Sequence, residues 1–421
     1  PNKIKNKSEL SKKLGLILNI NPSNIESKLK SNKKFVWVKR NISPKEYEKI
    51  INLGEINIQS HNEYKRIYPY RNIPSHIVGH VNIDQNGQNG AERFFDDHLT
   101  LSKNIFLSLD INLQQLVRKN LLETIDHYNA ESGLAIVMDI ENGQILSSVS
   151  LPDYNPENKL TFSEDNLVNR VFQSNFEMGS TFKPITATIA YDLGIVDSNM
   201  KFDVTKKFLN KINDFEEYKG DGIYNIEKII VESSNIGTAQ IADKIGKNNQ
   251  KKFFKKLGFD DRIKIENKEA TNPLGNRNNW GKLETATIGF GHGYSITPLH
   301  LVKAYGTLSN SGIEVFPTLQ IKDSLNKKTI LENPESSKFF LNLLQSVVSN
   351  TEYTGPRVKV EGYNVGGKTG TSELIKPSGG YYKDRNMTSF ISIFPINKPK
   401  FVIYTAIEYP KKEKGTNQKM T

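Results

Sequence analysis

The sequence predicts an α+β protein: an antiparallel sheet flanked by helices and closed by both ends of one domain, with a separate module in front. Two observations carry that expectation. Residues 133–140 and 144–150 are β-rich runs around Glu141-Asn142-Gly143, a strong hairpin signal. Strand-like stretches then return late, at 363–371, 387–394 and 400–408, after helical territory from about residue 180 to 310. An early hairpin and late strands around a helical middle bring both ends of the domain into one sheet.

The bulk numbers bound what such a protein does. At 421 residues, 36% hydrophobic and 24% charged, the chain can bury the cores of two or more domains. No run of eighteen apolar residues occurs, so no segment reads as membrane-spanning. The first residue is Pro1, and an upstream signal or anchor is expected to have been removed. Cysteine is absent, which excludes disulfides and thiolate metal sites. A net charge of +11 suits anionic lipid, wall polymer or nucleic acid. Lys, Asn and Ile are plentiful throughout, so the charge reads mainly as composition. Zinc-finger, helix-turn-helix and aromatic RNA-binding signatures are lacking, so no nucleic-acid partner is expected.

In chain order, residues 1–104 read as a non-catalytic module. It has helices at 9–18 and 44–53 around a Lys-rich stretch at 28–39, then strand-like pieces at 56–58 and 64–70. A turn-rich run, Asp84-Gln85-Asn86-Gly87-Gln88-Asn89-Gly90, leads into a helix over 92–99. His76 and His80 lie four apart without further ligands and read as structural. The second domain, 105–421, opens with a helix over 110–128, where Ile111, Leu113, Leu116, Leu121, Leu122 and Ile125 recur at helical spacing. Helices are expected at 226–245 and 251–257, and Gly289-Phe290-Gly291-His292-Gly293 reads as a break.

Three motifs on this second domain carry chemistry. In Ser180-Thr181-Phe182-Lys183, Gly179 before and Pro184 after read as a helix entry, so Ser180 and Lys183 share a face. A hydroxyl at a buried helix N-terminus sits in a positive field, and a desolvated lysine beside it can act as base near neutral pH. Ser-x-x-Lys also occurs at Ser27, Ser31, Ser198 and Ser324, where solvated side chains are expected. Ser233-Ser234-Asn235 can aim a hydroxyl and an amide into one cleft. Ser233 would pass a proton between a leaving amine and Lys183, and Asn235 would bind a substrate amide. In Lys368-Thr369-Gly370-Thr371, preceded by Gly366-Gly367, an edge strand is expected. Its lysine and hydroxyls can hold a terminal carboxylate, and its glycines leave room for a substrate backbone. The ordered set is the equipment of a serine acyl-transferase acting on a peptide with a free C-terminus.

With these motifs the chain resembles the class B penicillin-binding proteins, the monofunctional peptidoglycan D,D-transpeptidases, most closely the septal, cell-division type. Arg66-Ile67-Tyr68-Pro69 with His76-Ile77-Val78-Gly79 is similar to that family's pedestal segment. Gly90-Ala91-Glu92, the run from Ser132 to Asp139, Pro152-Asp153-Tyr154-Asn155-Pro156 and the run from Phe290 to Pro298 also match. The resemblance implies a penicillin-binding transpeptidase fold behind a pedestal or dimerisation-type domain, and no metal or cofactor. It implies Ser180 as nucleophile on the penultimate D-Ala of a donor stem peptide, Lys183 as base and Ser233 as proton relay. Asn235 would orient the donor amide, and Lys368, Thr369, Gly370 and Thr371 would hold the terminal carboxylate. The N–H groups of Ser180 and Thr371 would form the oxyanion hole. Partners implied are peptidoglycan stem peptides, β-lactams as covalent inhibitors, a membrane glycan polymerase and other division proteins. The compartment implied is periplasmic, with anchoring to the inner membrane by an N-terminal helix outside this chain. Relatives continue beyond the strand ending near Glu408 into a last helix, so a trimmed C-terminus exposing one sheet face is expected. The alternatives are a serine β-lactamase and a non-catalytic β-lactam sensor or division scaffold. For the former, Glu269 lies about the right distance after Asn235 for a deacylating carboxylate, but Asn272 is one residue short of that pattern and the segment reads as a surface loop.

Overall fold

Polar caps and turn residues cut the chain into its elements. The computed structural model describes residues 1–275, 280–321, 328–350, 358–376 and 378–411. It divides into two compact units, Pro1–Ile67 and Tyr68–Thr421, so residues 68–104 group with the second.

In the first unit, α1 (Lys7–Leu18) starts where the Asn6 side chain accepts the Glu9 N–H, and stops at Asn19 in the left-handed conformation. Helix α2 (Pro22–Lys30) has its proline in the first turn, and α3 (Pro44–Ile51) has a Ser43–Glu46 capping box. Leu10, Leu14, Leu18, Ile25 and Leu29 bury together as a small core. Helix α2 is absent from the sequence expectation, because the lysines around Ile25 and Leu29 mask a buried pair four residues apart. The pieces at 56–58 and 64–70 are not strands. Ile56, Tyr64 and Ile67 are exposed, and no strand pairs with them among the described residues.

The second unit begins with three short helices, α4 (Ser75–Val78), α5 (Gly90–Phe94) and α6 (Asp96–Thr100). The helix expected over 92–99 is broken at Phe95, whose ring is buried and whose backbone leaves helical geometry. Helix α7 (Ile111–His127) is capped by Asp110, and β1 (Ser132–Asp139) and β2 (Ile145–Leu151) form the expected hairpin. Then come α8 (Glu164–Leu167), β3 (Phe176–Glu177), a 3-10 turn (Gly179–Phe182) and α9 (Lys183–Asp192). The ribbon β4 (Lys201–Asp203) and β5 (Ile223–Asn225) is too short for periodicity to reveal. Helix α10 (Ile226–Val231) is followed by α11 (Asn235–Leu257), which kinks at Gly246. The order ends with α12 (Lys282–Gly289), β6 (Ser295–Ile296), α13 (Pro298–Ser309), α14 (Ser336–Ser349), β7 (Gly366–Ile375), β8 (Tyr381–Phe394) and β9 (Phe401–Glu408). Helix α14 is an addition to the expected elements, with Phe340, Leu343, Leu344 and Val347 burying one face of it.

The main sheet runs β2-β1-β9-β8-β7, antiparallel throughout, with Ser132 opposite Glu408. Both ends of the domain meet in it, and β7 is an edge strand, as the sequence predicts. Helix α13 is buried along its whole length and α9 nearly so, which places the first motif at the centre of the core. The expected lack of a closing helix concerns residues after Lys411, outside the described residues.

Candidate active site

Ser180 lies in the 3-10 turn that feeds directly into α9. Thr181 and Phe182 anchor that turn. The Thr181 hydroxyl donates to the Met178 carbonyl at 2.7 Å, its own carbonyl accepts from Tyr305 at 2.7 Å, and Phe182 packs against Phe254 and Phe259. Ser180 stays half-buried, while Lys183 is 1% exposed. The Lys183 Nζ donates to the Ser233 carbonyl and, at 3.1 Å, to the Ser233 hydroxyl. Burial holds Lys183 well below the ordinary lysine value, the Lys368 charge adds to that, and Asp214 opposes it.

The second motif is a turn rather than a loop. Ser233 adopts φ +55°, uncommon for a residue with a side chain; Ser234 caps α11, and Asn235 is its first residue. The Asn235 amide donates to the Asn213 carbonyl at 3.3 Å.

The third motif lies on β7, where Thr369, Thr371 and Glu373 alternate onto one face and Lys368 is 1% exposed. Lys368 Nζ lies 3.3 Å from its neighbour's carbonyl and 3.4 Å from the Thr369 hydroxyl; burial lowers it to about 8. Strand β7 is pressed onto the Gly179–Phe182 turn. A Cβ on Gly179 (φ +53°) would sit 2.4 Å from the Thr371 carbonyl oxygen, and one on Gly370 would sit 2.8 Å from Thr181 Cγ2. The glycines therefore have a different reason from the one expected. Space on the Cβ side of Gly366, Gly367 and Gly370 is filled by Ile396, by Phe390, and by Ser389 with Thr181, not left for a ligand.

The other Ser-x-x-Lys pairs are separate from this cluster. Ser27 and Ser198 are exposed, Ser31 is half-buried, and Ser324 lies outside the described residues. His76 is buried, with Nε2 on the Asn166 carbonyl at 2.8 Å, and desolvation lowers it to about 4. No metal-binding cluster occurs among the described residues.

Residues 133–421 match the Penicillin binding protein transpeptidase domain, and residues 1–105 the Penicillin-binding Protein dimerisation domain. The chain belongs to the penicillin-binding protein transpeptidase family. It is of the class B type. A relative from Caulobacter vibrioides, "Probable peptidoglycan D,D-transpeptidase FtsI", is 29% identical over 88% of this chain and 65% of its own length. "Peptidoglycan D,D-transpeptidase FtsI" of Buchnera aphidicola is 29% identical over 98% of this chain and 78% of its own. "Stage V sporulation protein D" of Bacillus subtilis is 28% identical, covering 98% and 71%. The chain thus spans about two thirds of the Caulobacter relative. Penicillin binding protein 3 of Mycobacterium tuberculosis, solved with ampicillin, has the same fold: TM-score 0.75, 22% identity, 82% of this chain and 84% of that one.

Within this penicillin-binding protein, two groups beside the motifs escaped the sequence reading. Asp214 accepts from the Ser234 hydroxyl at 2.7 Å and from the N–H groups of Asn235 and Ile236. Buried Glu177, three residues before Ser180, accepts from Tyr381 at 2.7 Å and pairs with His292 at 3.1 Å. Asp214 lies twenty residues before Ser234, too far for local spacing to reveal. His292 stood in a segment that matched the family but held no motif.

Proposed function

We infer that this chain is the extracytoplasmic part of a peptidoglycan D,D-transpeptidase that cross-links stem peptides through a Ser180 acyl-enzyme. The observation that carries this reading is the buried, charge-depressed Lys183, one turn from Ser180 and hydrogen-bonded to Ser233. In the proposed cycle, Ser180 Oγ attacks the penultimate D-Ala carbonyl and its proton passes to neutral Lys183. The N–H groups of Ser180 and Thr371 receive the oxyanion, favoured by the close approach of β7 to Gly179. Collapse breaks the peptide bond, and Lys183 returns the proton through Ser233 to the leaving D-Ala amine. A second stem-peptide amine then attacks the ester, and its proton goes back to Ser180 Oγ. Asn235 orients the donor amide. Lys368, Thr369, Gly370 and Thr371 bind its terminal carboxylate, which suits a buried cation beside hydroxyls on an edge strand.

Residues 1–104 form the non-catalytic module and 105–421 the transpeptidase domain in this proposal. Relatives named FtsI support a septal role. The partners in this proposal are a membrane glycan polymerase and other division proteins, at the periplasmic face of the inner membrane. No described helix is long and apolar enough to cross a membrane. The geometry around Glu269 favours transfer over β-lactam hydrolysis: its carboxylate accepts from the Gly90 N–H at 3.1 Å and from Arg93 at 3.0 Å.

Intact-mass analysis after incubation with a fluorescent penicillin tests the reading. One stable adduct per chain, absent in Ser180→Ala, is expected. Rapid penicillin turnover would move the assignment to a β-lactamase. A folded chain that takes no label would leave the sensor or scaffold.

A further inference from the structure

The second motif depends on an unusual turn. Ser233 is held at φ +55°, a left-handed region unfavourable for a residue with a side chain, so its surroundings must fix it. From that position both its carbonyl and its hydroxyl reach Lys183 Nζ. On the chain just after it, Asp214 grips three successive residues. Its Oδ2 accepts from the Ser234 hydroxyl at 2.7 Å, and its Oδ1 accepts from the Asn235 N–H and, at 3.0 Å, the Ile236 N–H. The Ser234 hydroxyl in turn accepts from the Gly237 N–H at 2.9 Å. A carboxylate on the first N–H groups of a helix forms charge-assisted bonds in a favourable dipole.

We propose that Asp214 is a positioning residue for acyl transfer, holding the Ser233–Asn235 turn against Lys183 from a separate stretch of chain. The proposal rests on the reading of Lys183 as the base for Ser180. The same carboxylate has an electrostatic consequence. Among the described residues, Lys368 from β7 favours the neutral form of Lys183, together with burial, and Asp214 favours its ammonium form. Asp214 thereby limits how far the base is discharged, while fixing the hydroxyl and carbonyl to which that base donates.

The test is the rate of acylation of the whole chain by a fluorescent penicillin, followed from acid to alkaline pH and expressed per folded molecule. Asp214→Asn keeps the shape and removes the charge. Its plateau rate should fall on the order of tenfold, because the turn is less firmly held. Its acid limb should move to lower pH, because the charge that favoured the Lys183 ammonium is gone. Ser234→Ala removes one hydrogen bond and leaves the charge, so the plateau should fall several-fold with the limb unmoved. A purely structural role lowers the plateau without moving the limb, so an unmoved limb in Asp214→Asn overturns the proposal. If that variant does not fold, Ser234→Ala still decides: a wild-type rate, or a shifted limb, overturns it. A wild-type chain that takes no label would sink the acyl-transfer reading and this role with it. Labelled wild type with superimposable variants sinks only the role of Asp214.

Discussion

Lysines are buried in two ways in the second unit. Lys303, on α13, donates to Glu314 at 2.6 Å and to the Leu257 carbonyl at 3.2 Å, and Lys328 lies 3.7 Å from the other Glu314 oxygen. Lys183 and Lys368 are buried at least as deeply, yet their hydrogen bonds go to hydroxyls and carbonyls and both are discharged toward the neutral form. A buried cation with its carboxylate is architecture. One held without that partner keeps a proton it can give up or a charge it can offer a ligand.

The sharpest way to break this contrast is Lys183→Met. If Lys183 is the base proposed above, acylation by penicillin should fall by about a thousandfold or more. Thermal stability should change little, because two hydrogen bonds are lost while a costly desolvated amine is removed. Unfolding at a much lower temperature would show that Lys183 is architectural after all.

Lys303→Met should give the reverse pattern. It leaves Glu314 buried without its main partner, at a cost of about 3 kcal/mol or more. Urea unfolding measures that loss, and the acylation rate per folded molecule should stay at the wild-type level. Replacing Glu314 by Leu in the same chain should recover most of the stability, as apolar pairs of similar volume often do. A double variant as unstable as the single one would show that the pair is not what matters there.

The contrast also explains what the sequence could disclose. The three motifs could be picked out because each is a few adjacent residues, and the fold brings Lys183 to Ser233 and Thr371 to Gly179. The hairpin at 141–143 and the strands of the sheet were legible from β-rich runs bounded by turns. What stayed hidden depends on long-range contact. Asp214 reaches the helix that starts at Asn235, and Glu177 meets His292 and Tyr381 from distant parts of the chain. The glycines of β7 were seen, but their reason was misread, because only packing against Phe390, Ile396 and Thr181 reveals which side lacks room. The strand-like pieces at 56–58 and 64–70 failed for the same cause, since propensity without a pairing strand makes no sheet.

Lys368 offers a pH test of intermediate size. Burial lowers it to about 8. Capture of a penicillin carboxylate should therefore weaken as pH rises through about 8. Lys368→Arg, which keeps its charge, should flatten that limb if the longer side chain is accommodated. Stability moves the other way. Between about 8 and the ordinary lysine value the unfolded chain holds a proton that the folded one has released, so stability rises with pH across that window. Lys368→Met should lack the rise. Equal slopes in urea unfolding of the two proteins would contradict a discharged Lys368.

The smallest effect belongs to a cation that has its carboxylate but is half in water. His292 pairs with Glu177, stacks on Tyr381 at 4.9 Å, and is raised first by the Glu177 hydrogen bond, with Glu373 also contributing. A raised folded value means the pair's stabilisation is complete below the unfolded histidine value, about 6.5, and is lost as pH climbs through the folded one. Because the His292 side chain is 42% exposed, solvent screens the pair to about 0.5 kcal/mol. His292→Gln should thus be slightly destabilising at mildly acid pH and neutral at alkaline pH. Matched urea midpoints at the two values decide it. A deficit that persists unchanged at alkaline pH would mean the ring acts by stacking and shape, and that charge pairing stabilises this rim far less than it does the buried lysine of α13.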